Sequence, residues 1–329
     1  MSVISLLFNE VAMKKSVLLS ILVVAMQLAV GVMAQAQHQT KQPRIGFLFI
    51  GSKDQPHLEK FRQGMRDMGY VEGKNILIEY RYAEGNADGL PALAAELVAL
   101  NLDVILSTTP AANRALLQAT NTIPIVSVGG SLLVKSLRQP EGNLTGLTAN
   151  AGPGMYGKRV EILKEAFPKI RVVALLGIGG TNLDDASAVG KVIGVQVRPV
   201  EIKNNNDIDR LGDELKKLRA NGLVIGAIPV VIQNMRKIAE LAAKLRLPTM
   251  SQTPQYVEES GLMAYGVNFG DLYRRAATYV DQILKGRKPA DLPIGQPMKF
   301  ELVINLKAAK QIGMEVSPYV LARADRVIK

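Results

Sequence analysis

The chain has 329 residues, 48% of them apolar, with a formal charge of +11, two histidines and no cysteine. Without cysteine it forms no disulfide and carries no lipid on a lipoprotein cysteine. With only His38 and His57 it has no thiolate or multi-histidine metal site. The basic pairs Lys216-Lys217 and Arg274-Arg275 fall in helical patterns that also carry acids, and no three basic residues are consecutive, so the charge reads as solvated helix faces and no nucleic-acid partner is expected.

In chain order, Lys14 and Lys15 form a short basic head. Val17 to Val32 is an apolar run, Ala34 and Ala36 offer cleavage sites, and the polar tail QHQTKQ follows. This is the layout of a secretory signal peptide within residues 1–36, with the start at Met13 and the mature chain beginning near Gln35 or Gln37. The apolar run is shorter than the roughly 18–20 residues of a membrane-spanning helix; a retained N-terminal anchor is the alternative.

From residue 44 short β-rich runs alternate with amphipathic stretches. RIGFLFI (44–50) reads as a buried strand, and Leu58, Phe61, Met65 and Met68 mark one helix face. NILIEYRY (75–82) alternates as a strand, and Leu90, Leu93, Ala94 and Leu97 give a helix. DVILS (103–107) is a strand, TPAANRALLQAT a helix and IPIVSV (123–128) a strand. The breaker-rich passage 140–154 interrupts this rhythm. It resumes with helices at 157–167, near 183–193, at 207–219 and at 231–245, and strands at 172–176, 195–202 and 223–228. A second Gly/Asn-rich turn, YGVNFG (265–270), leads into a helix carrying Tyr273, Ala276, Ala277, Val280 and Ile283, and a third breaker-rich stretch, 285–297, follows. The alternation predicts an α/β fold of two Rossmann-like lobes with mainly parallel sheets. Three interruptions suit a chain that crosses between lobes three times through a three-segment hinge, although Gly and Pro punctuate ordinary surface loops too.

In such sheets ligands bind beyond the carboxyl ends of the strands. The loops there begin at Gly51-Ser52, Ser107-Thr108-Thr109, Val128-Gly129, Gly177, Pro229, Ser251-Gln252-Thr253 and Tyr265-Gly266. Small and hydroxylated residues at helix starts bare N–H groups toward an anion, although capping alone explains any single loop. Enzymatic patterns are missing. GIGG (177–180) has Asn182 where G-x-G-x-x-G needs glycine, so no dinucleotide or other cofactor is expected, and neither a P-loop nor a G-x-S-x-G elbow occurs. His57 reads as a surface or loop-lining residue at a helix start. Asp184-Asp185 and Glu258-Glu259 are adjacent pairs, unlike the facing carboxylates of acid–base catalysis.

The stretches FRQGMRDMGYVEGKNILIEYRYAEG (61–85), LPALAAELVALNLDVIL (90–106), GNLTGL (142–147), GKRVEILKEAFP (157–168), GLMAYG (261–266), DLYRRAATYVDQILKGRKPADLPI (271–294) and KFELVINLKAAKQIGMEVSP carry a resemblance. They resemble ABC-transporter substrate-binding proteins related to tryptophan- and tyrosine-uptake components. The resemblance implies the type I periplasmic binding protein, or Venus-flytrap, fold. Its lobes would comprise 43–148 with 267–290 and 149–266 with 291–329. It implies a periplasmic, monomeric receptor for an amino acid or related solute, serving an ABC permease in the inner membrane without catalysis. The same clam-shell feeding a signalling partner, or acting as a scaffold, is the alternative. Ligand contacts are implied at Gly51, Ser52, Thr108, Thr109, Val128, Gly129, Gly177, Pro229, Gln252, Tyr265 and Asn268. Where relatives carry Gly-Asp-Pro-Val this chain has GGSLLVKSL (129–137), where they have Trp-Asn-Pro it has Leu176-Gly177-Ile178, and where they have Tyr-Gly-Pro-Asp it has Tyr265-Gly266-Val267-Asn268. Two acidic positions are thereby lost from the implied cleft. An ammonium group needs such partners, so the departures leave room for a neutral or anionic solute.

Overall fold

The computed structural model describes residues 42–54, 57–129, 136–177 and 180–329; the expected signal peptide lies outside them. Strands β1 (Arg44–Phe49), β2 (Leu77–Tyr82), β3 (Val104–Ser107), β4 (Ile125–Gly129) and β5 (Leu144–Thr148) form a parallel sheet in the order β2-β1-β3-β4-β5. Helices α1 (Leu58–Asp67), α2 (Leu90–Ala99) and α3 (Pro110–Ala119) are the crossovers. A second sheet holds β6 (Val172–Leu176), β7 (Gln196–Val200), β8 (Gly222–Ile225), β9 (Thr249–Ser251), β10 (Met263–Val267), β11 (Phe300–Asn305) and β12 (Arg326–Ile328). Its order is β12-β11-β10-β9-β8-β6-β7, with only β10 and β11 antiparallel. The run β7-β6-β8-β9-β10 repeats the order of the first sheet, and β11 and β12 extend it.

Both sheets are covered on two faces, which is why their strands read as continuous apolar runs. In β1, Ile45, Phe47 and Phe49 enter one core and Leu48 the other. In β6, Val173 and Leu175 face one core while Ala174 and Leu176 face the opposite one. An aromatic ladder runs across the first sheet: Phe47 and Phe49 stack at 4.2 Å and Phe49 stacks on Tyr82 at 5.2 Å.

The remaining helices are α4 (Met155–Ala166), α5 (Thr181–Val192), α6 (Asn205–Lys217), α7 (Pro229–Gln233), α8 (Met235–Lys244), α9 (Gln255–Glu258), α10 (Phe269–Leu284), α11 (Leu306–Gln311) and α12 (Pro318–Leu321). Helix α10 follows β10 of the second sheet but buries Leu272, Tyr273, Ala276, Ala277 and Val280 in the core of the first. It meets α1 closely: a Cβ on Gly64 would lie 2.4 Å from the Arg274 carbonyl oxygen. The chain then returns along β5. Gly295 N–H donates to Gly146 O at 2.9 Å, Thr148 N–H to Gly295 O at 3.0 Å, and Thr145 Oγ1 to Leu292 O at 2.7 Å.

Three local expectations need correction. Passage 140–154 contains β5, which is disguised by Gly146; there φ is +130° and a Cβ would stand 2.1 Å from Ser127 O, so only glycine fits. The turn expected at 265–270 begins later, because Tyr265 to Val267 are strand and Gly266 lets the β10 backbone pass Gln252 O. The helix expected over 231–245 is two helices meeting at Asn234, whose side-chain amide donates to Val230 O at 2.8 Å and to Asn205 Oδ1 at 2.9 Å.

Candidate functional site

A cavity of about 270 Å³ opens beside the first two crossing segments. Ala149 to Gly152, leaving β5, form one side, and Val267 and Phe269, leading from β10 into α10, form another. Met155, Tyr156 and Arg159 of α4, Asn182 of α5, and Gln252-Thr253 after β9 complete the wall. A larger hollow of about 540 Å³, lined by Ile170, Pro248 and Met314, lies at the amino ends of β6, β8 and β9. Ligand crevices in α/β sheets form at the carboxyl ends, which favours the smaller cavity.

Arg159 dominates its chemistry. The residue is 4% exposed because α4 turns it onto the same stripe as Val160 and Leu163. Its Nε donates to Tyr265 O at 2.8 Å, and its guanidinium lies 4.7 Å from the centre of the Tyr156 ring. Tyr156 in turn donates its hydroxyl to Gln252 Oε1. Among the described residues no carboxylate forms an ion pair with Arg159. Burial pushes its pKa down to about 10, against smaller upward effects of Tyr156, Tyr265 and Asp185. It therefore stays cationic at neutral pH. Burial likewise raises the Tyr156 hydroxyl, which remains a neutral donor. Asp185 accepts the Gly157 N–H at 2.8 Å and does not line the cavity.

Phe269 connects this wall to the first sheet. Its ring lies 2.8 Å from where a Cβ on Gly129 would sit, and it stacks on His57 at 6.1 Å. His57, at the start of α1, also lies 5.6 Å from the Tyr273 ring, and burial lowers its pKa while Glu258 opposes the shift. His57 is thus half-buried against aromatic rings.

Of the residues implied by resemblance, Gln252 stands in the cavity wall. Tyr265 adjoins it through the carbonyl held by Arg159, while its ring packs 6.0 Å from Phe300. Gly129 adjoins it beneath Phe269. Asn268 Oδ1 accepts the Asp271 N–H at 2.8 Å and caps α10 beside Phe269. The others are outside this wall. Gly51 and Ser52 follow β1 at the surface, and Thr109 caps α3 by accepting Ala112 N–H at 3.2 Å. Thr108 is hydrogen-bonded to Tyr273. Val128 is buried in the first core, Gly177 packs against Ile228, and Pro229 begins α7. Sequence reasoning missed Tyr156, Arg159, Asn150, Asn182 and Phe269. A signal for Arg159 existed, since a charged residue on the apolar stripe of an amphipathic helix is out of place.

The family model described as ABC transporter substrate binding protein matches residues 54–328. The tyrosine-binding protein of Clostridioides difficile (strain R20291) is 23% identical over 294 residues, covering 84% of this chain and 82% of the relative. Among solved structures, a conserved domain protein from Vibrio cholerae is 26% identical with a TM-score of 0.70, covering 87% of this chain and all of that one. The ABC domain in complex with L-Trp from Streptococcus pneumonia is 22% identical with a TM-score of 0.70, covering 88% of this chain and 100% of the other. The two lobes have the type I periplasmic binding protein fold. With a family match over nearly all the described residues and a solute-sized cavity beside the crossing segments, this chain belongs to the ABC transporter substrate-binding proteins, the solute-capturing components of ABC importers.

Proposed function

We propose that this protein is exported to the periplasm, captures one small organic solute in the cavity beside Arg159, and presents it to an inner-membrane ABC permease as a monomer, without catalysis. The lobes, 43–148 with 267–290 and 149–266 with 291–329, would close about the crossing segments. Gly51, Ser52, Thr108, Thr109, Val128, Gly177 and Pro229 would approach the solute only in the closed form, joining Gln252, Tyr265, Gly129 and Asn268. Closure follows from differential contact, since a solute shifts the equilibrium only by touching more of the protein in the closed state. The observation that carries this reading is the cavity itself: a buried, immobilised guanidinium and five amide or hydroxyl side chains converge with apolar Met155 and Phe269 beside the segments that would bend. Its volume falls just below the roughly 300–1,000 Å³ of common ligand sites, which suits a small solute. The relatives whose names record tyrosine and L-Trp support an organic solute of modest size.

Thermal unfolding of the purified chain against amino acids, sugars and organic acids tests the reading. A true ligand at a hundred times its dissociation constant adds about 2.7 kcal/mol of stability. A chain that responds to none of them is not a solute receptor.

A further inference from the structure

We infer that the cavity selects an organic carboxylate lacking an α-ammonium group, with Arg159 as the anion anchor and the apolar wall of Met155, Val267 and Phe269 holding the body. This rests on the receptor reading above and narrows the solute class. Three observations carry it. First, among the described residues Arg159 is the single charged side chain in the wall, and its place is fixed by Tyr265 O on one nitrogen and the Tyr156 ring on its face. Among the described residues its two terminal nitrogens have no hydrogen-bond partner, so the fork that matches a carboxylate is unused. A cation this buried gains most from an anion that enters the same dry space.

Second, the wall includes the first turns of α4, α5 and α10, at Met155-Tyr156, Asn182 and Phe269. Neither α4 nor α5 has a side-chain cap on its N-cap residue. The partial positive end of α5 adds to the field of Arg159, whereas that of α4 is met by the Asp185 carboxylate at the Gly157 N–H. Third, among the described residues no carboxylate lines the cavity. Asp185 is held by the Gly157 N–H, and Asp271 is engaged by Lys299 at 3.3 Å and Arg275 at 3.6 Å; neither lines the wall. An amino acid would seat its carboxylate and leave its ammonium desolvated without a counter-charge.

Calorimetry on the full mature chain tests this with matched probes: 3-phenylpropanoate, 3-phenylpropanamide and L-phenylalanine; 3-(4-hydroxyphenyl)propanoate and L-tyrosine; glutarate and L-glutamate; and a set of sugars. At least one carboxylate is expected to bind ten-fold or more tightly than its α-amino counterpart, and 3-phenylpropanoate, if it binds, ten-fold or more tightly than 3-phenylpropanamide. Arg159→Met should weaken that carboxylate at least ten-fold, and Arg159→Lys should restore part of the loss. The comparison among probes uses the unaltered protein, so it stands even if Arg159→Met fails to fold. Equal binding of amide and carboxylate, or tighter binding of the amino acid, overturns the anion assignment and leaves the receptor standing. Binding of sugars alone does the same. Silence from every probe overturns the anion assignment together with the receptor reading.

Discussion

Single residues explain how a cationic wall is tolerated inside this protein. Arg159 is held by one carbonyl and one ring, and Tyr156 is held by Gln252, so the wall is set before any solute arrives. A different polar cluster sits beneath the loop after β3. Ser107 Oγ donates to Asn113 Oδ1, and Asn113 Nδ2 donates to Ser127 Oγ at 3.0 Å, all three fully buried. Asn113→Ala removes the partner shared by the two hydroxyls and should cost about 2 kcal/mol in urea-induced unfolding. A cost near zero would mean the cluster does not stabilise the fold. His57 gives a pH dependence. Burial lowers its pKa from the ordinary 6.5, so the unfolded chain takes up the proton first as pH falls. Stability should therefore decline as pH drops through about 6.5 and level off once the folded histidine is protonated as well. His57→Gln should flatten that part of the profile of Tm against pH.

Among the elements, α10 binds the architecture together, because it follows a strand of the second sheet and buries its face in the first. The close contact at Gly64 leaves no room for a side chain. Gly64→Val should force α1 and α10 apart and destabilise the chain by about 1–3 kcal/mol, read from thermal unfolding. Loss of the α10 cap in Asn268→Ala should cost about 1 kcal/mol. These elements also show what the sequence made legible. The apolar runs of β1 and β6 and the Phe61-Met65 stripe announce themselves because burial on both sheet faces, or on one helix face, dictates their composition. Strand β5 stays hidden because Gly146 and two threonines look like a loop until Ser127 O accounts for Gly146 and Leu292 O for Thr145. Gln252 could be found from the rule for carboxyl-end loops. Arg159 could not be found by counting charges, since only its position on the buried stripe of α4 distinguishes it from the solvated lysines nearby.

For the whole molecule, the repeated order β2-β1-β3-β4-β5 and β7-β6-β8-β9-β10 explains why the ends of both sheets bear loops able to meet a solute. The first and third crossing segments are tied to one another by the Gly146–Gly295, Thr148–Gly295 and Thr145–Leu292 hydrogen bonds. Ligand binding should reduce the radius of gyration measured by small-angle scattering, while Gly146→Val, which cannot keep the β5 contact with Ser127 O, should lower stability before it alters closure. The central claim is capture of a small anion at Arg159. Native mass spectrometry of the protein isolated from its own exported fraction examines it most directly. The account predicts one small acidic molecule released per chain, and its loss from Arg159→Met. A chain that flies at its bare mass even after incubation with organic acids, or an Arg159→Met variant that keeps the same molecule, would contradict it.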